Sequence, residues 1–126
     1  MKKKILIVDD DKSVADTIKM ILEETGEYEV EVESESLHAM VAVERFSPHL
    51  ILLDIVMPKK DGFSVLKDLK KNNKTLPVPV IMLTALGGDE SRIEASQLYS
   101  EDYIVKSAFV KEIRAKIASV INRHVF

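Results

Sequence analysis

The residues of this sequence able to do chemistry stand directly after short apolar runs. Asp9, Asp10 and Asp11 follow Ile5-Leu6-Ile7-Val8, and Asp54 follows Leu50-Ile51-Leu52-Leu53. Thr84 follows Val80-Ile81-Met82-Leu83, and Lys106 follows Tyr103-Ile104-Val105. Runs of this kind read as strands buried on both faces, the signature of a parallel sheet. Ligands of open α/β sheets bind outside the carboxyl ends of the strands, so carboxylates, a hydroxyl and an ammonium are expected on one rim. Crowded carboxylates repel unless something neutralises them. Mg²⁺ does so with one or two carboxylates, phosphate oxygens and water as ligands. With the Lys106 ammonium and the Thr84 hydroxyl it would form an electrostatic clamp for a phosphoryl group. Asp54 is then a candidate nucleophile, giving an aspartyl phosphate.

The elements that must position these groups are legible between the runs. Tyr28-Glu29-Val30-Glu31-Val32-Glu33 alternates strictly and reads as an edge strand protected by charge. Asp11 or Ser13 can cap a first helix with Val14, Ile18, Ile21 and Leu22 on one face, stopping near Gly26. Ser36 can cap a second, carrying Leu37, Met40 and Val41 and stopped before Pro48. A third starts near Gly62 with Phe63, Leu66 and Leu69 and ends at Asn72-Asn73. A fourth follows Gly87-Gly88, with Asp89 as cap and Ile93 inward. The fifth holds Val110, Ile113, Ile117, Val120 and Ile121. Five β-α units in succession predict right-handed crossovers and an α/β, doubly wound five-stranded parallel sheet with five helices.

The 126 residues are the size of one domain, so residues 1–126 are expected to form a single one. With no cysteine, disulfides, thiolate metal sites and a cysteine nucleophile are excluded. No apolar stretch is long enough to span a membrane. The lysine-rich start turns acidic too soon for a signal peptide, so a cytoplasmic protein is expected. The net charge of −3 argues against a direct nucleic-acid binder. That charge is uneven, −6 over residues 1–63 and +3 over residues 64–126. His38, His49 and His124 lack metal-ligand spacing and read as surface or boundary residues. Lys59, Lys60, Lys67, Lys70, Lys71 and Lys74 read as a solvated face.

Four segments together resemble the receiver domain of two-component response regulators, the CheY-like family. They are Ile5-Leu6-Ile7-Val8-Asp9-Asp10-Asp11; Leu52-Leu53-Asp54-Ile55-Val56-Met57-Pro58 with Asp61-Gly62; Met82-Leu83-Thr84-Ala85; and Asp102-Tyr103-Ile104-Val105-Lys106. The resemblance covers essentially the whole chain and implies strand order 2-1-3-4-5. It implies Asp54 as phosphoacceptor and Mg²⁺ (or Mn²⁺) held by Asp10 directly, Asp9 mostly through water, Asp54 and the Val56 backbone carbonyl. It implies that Lys106 pairs with Asp54 and then with phosphoryl oxygens, and that Thr84 and Tyr103 shift together. That shift would remodel a face built from the fourth helix, fifth strand and fifth helix. The implied donor is a sensor histidine kinase or histidine phosphotransfer protein, with small acyl phosphates as substitutes. The implied output is a downstream effector or fused output domain. The family's activity is self-phosphorylation and slow self-dephosphorylation, so no enzyme acting on other substrates is expected.

The sequence departs from that family at several points. Ser107 stands where a proline joined by a cis bond is usual, and a cis bond before a non-proline residue costs about 2.5–4 kcal/mol. The bond is therefore trans with a reshaped loop, or cis under strain. Tyr99-Ser100 replaces a small glycine-alanine turn. Val56 and Leu86 occupy two positions that tune hydrolysis, and neither side chain can hydrogen-bond an attacking water, so slow dephosphorylation is expected. Arg92, Glu101, Glu112 and Lys116 can pair across a two-fold in a phosphorylation-dependent homodimer, or be solvated helix charges. Two other functions compete. A degenerate receiver would act as a phosphorylation-independent docking module. An aspartate-nucleophile phosphohydrolase would need a general acid at Val56, and there is none.

Overall fold

Successive residues of a strand point to opposite faces, and in the central runs of this chain both sets are apolar. Such strands must be covered on both sides. Ile5, Ile7, Leu50, Leu52, Ile81 and Leu83 form one buried layer, and Leu6, Val8, Ile51, Leu53, Val80 and Met82 form the other. The computed structural model describes residues 1–85 and 100–124. It comprises β1 (Lys3–Val8), α1 (Lys12–Glu23), β2 (Tyr28–Glu33), a 3-10 turn (Ser36–His38), α2 (Ala39–Phe46), β3 (Leu50–Asp54), α3 (Gly62–Lys71), β4 (Val80–Thr84), β5 (Asp102–Val105) and α4 (Val110–Asn122), the C-terminal helix. The strands form one parallel sheet in the order β2-β1-β3-β4-β5. Helices α1 and α4 cover the first layer, and α2 and α3 the second.

The register aligns the rim. Val8 lies opposite Leu53, Asp54 opposite Leu83, and Thr84 opposite Val105. Asp9, Asp54, Thr84 and Lys106 therefore leave the sheet at nearly one level. The alternating strand β2 takes the edge, with Tyr28 and Val30 buried and Glu29 exposed. Each buried Leu or Ile contributes about 1.5–3 kcal/mol. An exposed pair such as Arg45 and Glu31, at 2.9 Å, contributes less than about 1 kcal/mol. The two apolar layers thus hold the rim in place.

Helix α1 starts as expected, with Asp11 accepting from the Val14 N–H at 3.2 Å, and the chain turns at Gly26 with φ of 76°. Helix α3 is capped by Asp61, which accepts from the Ser64 N–H at 2.9 Å. The expected second helix needs correction. Ser36 caps nothing; it sits in the 3-10 turn, and α2 begins three residues later. Ala39, Ala42, Val43 and Phe46 form the buried face; of the residues expected there, Met40 is half-buried against the core while Leu37 and Val41 are 57% and 66% exposed. Of the five helices expected, four lie among the described residues, and the one after Gly87-Gly88 falls outside them. The basic stretch is only partly a solvated face. Lys70 Nζ donates to Leu76 O at 3.1 Å and Val78 O at 2.9 Å, tying the loop after α3, and Lys60 is paired with Asp68. No described helix is long and apolar enough to cross a membrane.

Candidate functional site

The rim brings together the side chains expected there. Asp9 is fully buried; its backbone N–H donates to Glu33 O at 3.1 Å, which extends the pairing of β1 with β2 by one residue. Its Oδ1 accepts from the Asp11 N–H at 2.9 Å. Asp54 and Thr84 are the last residues of β3 and β4, 2% and 1% exposed. The Lys106 N–H donates to Thr84 O at 2.8 Å, which fixes the lysine at the end of β5. Its Nζ lies 2.9 Å from Asp9 Oδ2 and 3.2 Å from Asp54 Oδ1. Every peptide bond among the described residues is trans, Lys106–Ser107 included, and the lysine still reaches both carboxylates. Asp11 does not join the group, because its carboxylate caps α1.

Electrostatics mark Asp54 as the unusual acid. Burial, together with the close approach and charge repulsion of the Asp9 carboxylate, raises its pKa to about 7 against the opposing pull of Lys106. For Lys106, burial acts to lower the pKa, but the bonds and charges of Asp9 and Asp54 outweigh it and the net shift is upward. One ammonium faces two buried carboxylates, and exposed Asp10 adds a third. Asp9, Asp10 and Asp54 offer ligand oxygens within 4.8 Å of one another. Asp54 Oδ2 is buried with no hydrogen-bond partner among the described residues. An excess of negative charge, a buried oxygen lacking a donor and an all-oxygen ligand set fit a hard divalent cation.

The loop after Asp54 is tightly tied. The Ile55 N–H donates to Leu83 O at 3.0 Å, and the Gly62 N–H donates to Ile55 O at 2.8 Å. A Cβ on Gly62 would lie 2.0 Å from Asp54 O, so only glycine lets α3 start against the backbone of the phosphoacceptor candidate. Between these anchors Val56 is 63% exposed. The Lys60 N–H donates to Pro58 O at 2.7 Å, closing a three-residue turn centred on Lys59 at φ of 68°. A positive φ on a non-glycine residue costs about 1–3 kcal/mol and persists only where its surroundings impose it. The Ser36 hydroxyl also donates to Pro58 O, at 3.1 Å. Neither the Ser36 contact nor the close approach at Gly62 was anticipated. A glycine beginning a helix is a visible signal, whereas a bond spanning 22 residues leaves none.

At the far end of the rim, Tyr103 is half-buried against the layer covered by α2 and α3, and Lys116 Nζ lies 4.6 Å from its ring centroid. Lys116 also donates to Tyr103 O at 2.8 Å and lies 3.7 Å from Asp102 and 3.8 Å from Glu112. Glu101 meets His124 at 3.0 Å. Of the residues considered for a two-fold, Glu101, Glu112 and Lys116 thus have partners within the chain. Arg92, Leu86 and Tyr99 lie outside the described residues.

Comparison with known proteins agrees with the fold. The family model described as the response regulator receiver domain matches residues 5–118. The chain is 40% identical over 122 residues to the probable transcriptional regulator ycf27 of Porphyra purpurea, covering 97% of this chain and 49% of that protein. It spans about half the length of the curated relatives it matches. Among solved structures, the receiver domain of Francisella response regulator 1452 superposes with a TM-score of 0.87 at 34% identity, covering 97% of this chain and 98% of that one. The Mn²⁺-bound form of response regulator Rcp1 does so with a TM-score of 0.77 at 28% identity, covering 94% and 91%.

Proposed function

The chain belongs to the response regulator receiver family of two-component systems, and from that premise we propose that Asp54 accepts a phosphoryl group and so switches the rim and the face beside it. The observation that carries this reading is the buried Asp54 carboxylate, with one oxygen 3.2 Å from Lys106 and the other lacking a hydrogen-bond partner. An oxygen of Asp54 attacks the phosphorus atom. The bond from phosphorus to the donor breaks, its electron pair stays with the leaving imidazole or acyl oxygen, and a phosphorus–oxygen bond forms on Asp54. Lys106 draws the carboxylate toward its ionised form and orients it, then pairs with the phosphoryl oxygens. Thr84, one strand away, supplies a hydroxyl that can follow them, and Tyr103 on β5 shifts with it. Asp9, Asp10, Asp54 and the Val56 carbonyl would hold Mg²⁺ or Mn²⁺, which neutralises charge on the transferring group.

The donor is a sensor histidine kinase or a histidine phosphotransfer protein in the cytoplasm, with small acyl phosphates as substitutes. Because several relatives are named transcriptional regulators, the output is an effector partner or an output domain; the net charge of −3 argues against direct nucleic-acid contact by this chain. The switch is two-state. A full 1:99 to 99:1 inversion needs about 5.5 kcal/mol of differential interaction, which a new phosphoryl–lysine–threonine cluster can supply. Incubation with Mg²⁺ and acetyl phosphate should add one phosphoryl group by mass, and Asp54→Ala should abolish it. Oligomer size with beryllofluoride reads out a phosphorylation-dependent homodimer. No added mass and no metal binding would favour a phosphorylation-independent docking module.

A further inference from the structure

We propose that Ser36 is a positioning residue for the divalent-cation site. In this role its hydroxyl holds the loop that carries the Val56 carbonyl at the level of the three aspartates. The inference rests on the reading of Asp9, Asp10, Asp54 and Val56 as a metal site. Ser36 is buried, and its Oγ donates to Pro58 O at 3.1 Å across 22 residues. The same carbonyl accepts from the Lys60 N–H at 2.7 Å, so both of its lone pairs are used. Those two donors close the loop onto a turn whose central residue, Lys59, has a positive φ. Few apolar contacts hold this stretch, because Val56, Pro58 and Lys59 are exposed and only Met57 among them is buried. Lys59 lies 3.9 Å from Glu35, but both side chains are largely solvated. Ser36 itself is firmly based. It leads directly into α2, whose Ala39, Ala42, Val43 and Phe46 are packed in the core. It caps neither the 3-10 turn, which starts after Glu35, nor α2, which starts after His38. A single peptide unit, Met57–Pro58, lies between the units that carry Val56 O and Pro58 O, so a shift of one bears on the other. Outer groups that orient ligands tune metal affinity.

The test is a Mn²⁺ titration of the full chain followed by electron paramagnetic resonance of the free ion, with amide exchange at Lys60 and thermal melting measured alongside. Thr75→Val is the control. It deletes another buried hydroxyl contact, from Thr75 Oγ1 to Leu69 O at 2.6 Å, in the loop between α3 and β4. Ser36→Ala should weaken Mn²⁺ binding by roughly three- to tenfold, at the lower edge of outer-shell effects, and speed Lys60 exchange. Thr75→Val should lower the melting temperature yet bind Mn²⁺ as the wild type does. Wild-type affinity in Ser36→Ala would overturn the inference, as would equal weakening in Thr75→Val. Absence of Mn²⁺ binding in the wild type would overturn the metal-site reading and this inference with it.

Discussion

Lys106 reaches across β4 to place its ammonium 3.2 Å from Asp54 on β3, while its own N–H is held by Thr84 O at 2.8 Å. A fixed backbone and an extended side chain thus aim one cation at the carboxylate and at the oxygens that would join it. Replacing Lys106 by Met keeps the aliphatic stem and removes the charge. Phosphorylation by acetyl phosphate should slow by about 100-fold, the scale of losing one electrostatic contact to a transferring group. Mass-spectrometric time courses measure it, and an unchanged rate would exclude the lysine from the transfer.

Asp54 carries a stability penalty in the metal-free protein. Its folded pKa, about 7, lies above the ordinary carboxylate value of 3.8. The folded state therefore binds more protons than the unfolded state between those values, and stability falls as pH rises from about 4 to about 7. Asp54→Asn should be more stable than the wild type by roughly 1–3 kcal/mol at pH 7 in EDTA. The difference should shrink toward pH 4. Urea unfolding at both pH values measures it.

Gly62→Ala should be severe. The added methyl would lie 2.0 Å from Asp54 O, and backbone on both sides must move. A loss of about 3 kcal/mol or more is expected, together with slower phosphorylation because Asp54 is displaced. Melting followed by circular dichroism provides the check, and a near-wild-type melting temperature would show that α3 can slide freely.

His49 gives a pH dependence of opposite sign. Its Nδ1 accepts from the Lys4 N–H at 2.9 Å, and its own N–H donates to Lys4 O at 2.8 Å. Burial, helped by Lys3 and Lys4, lowers its pKa from 6.5. The unfolded state takes up the proton first, so this contribution is intact above about pH 6.5 and is lost progressively as pH falls from there through the lower folded pKa. His49→Asn keeps an acceptor and removes the titration. Its stability should change less than that of the wild type between about pH 7 and 5.

The phosphoryl group on Asp54 should be long-lived, because the exposed Val56 side chain offers nothing to orient water. Val56→Asn should shorten the lifetime by about tenfold by adding a group that can position the attacking molecule. Decay of phosphorylated protein without phosphatase tests this. A wild-type half-life of seconds would contradict it.

The strands and the rim were legible because they depend on local rules. An apolar run predicts a buried strand, and the residue after it lands at the carboxyl end whatever the strand's neighbours. Ser36 shows where that logic stops. A serine before apolar residues is an ordinary cap signal, but here its partner is Pro58, and distant hydrogen bonds leave no periodic trace. The face of α2 was misassigned for a related reason. Its buried face begins at Ala39 and Ala42, small residues with weak hydropathy, and continues through Val43 and Phe46, while Leu37 and Val41 are exposed. Lys70 was hidden among solvated lysines because only the folded loop presents the carbonyls of Leu76 and Val78 to it. The Lys106–Ser107 bond left two geometries open, and the trans form places the ammonium within reach of both carboxylates.

Asp9 and Lys106 are 97 positions apart in the chain, yet their side chains meet. One follows the first strand and the other follows the last, so their contact needs β3 and β4, which lie between β1 and β5 in the sheet. Parallel pairing over such separations is slow to form. The acidic rim has its counter-charge only where β1, β3, β4 and β5 are paired. A molecule in which these strands are unpaired keeps its aspartates but lacks the Lys106 ammonium beside them.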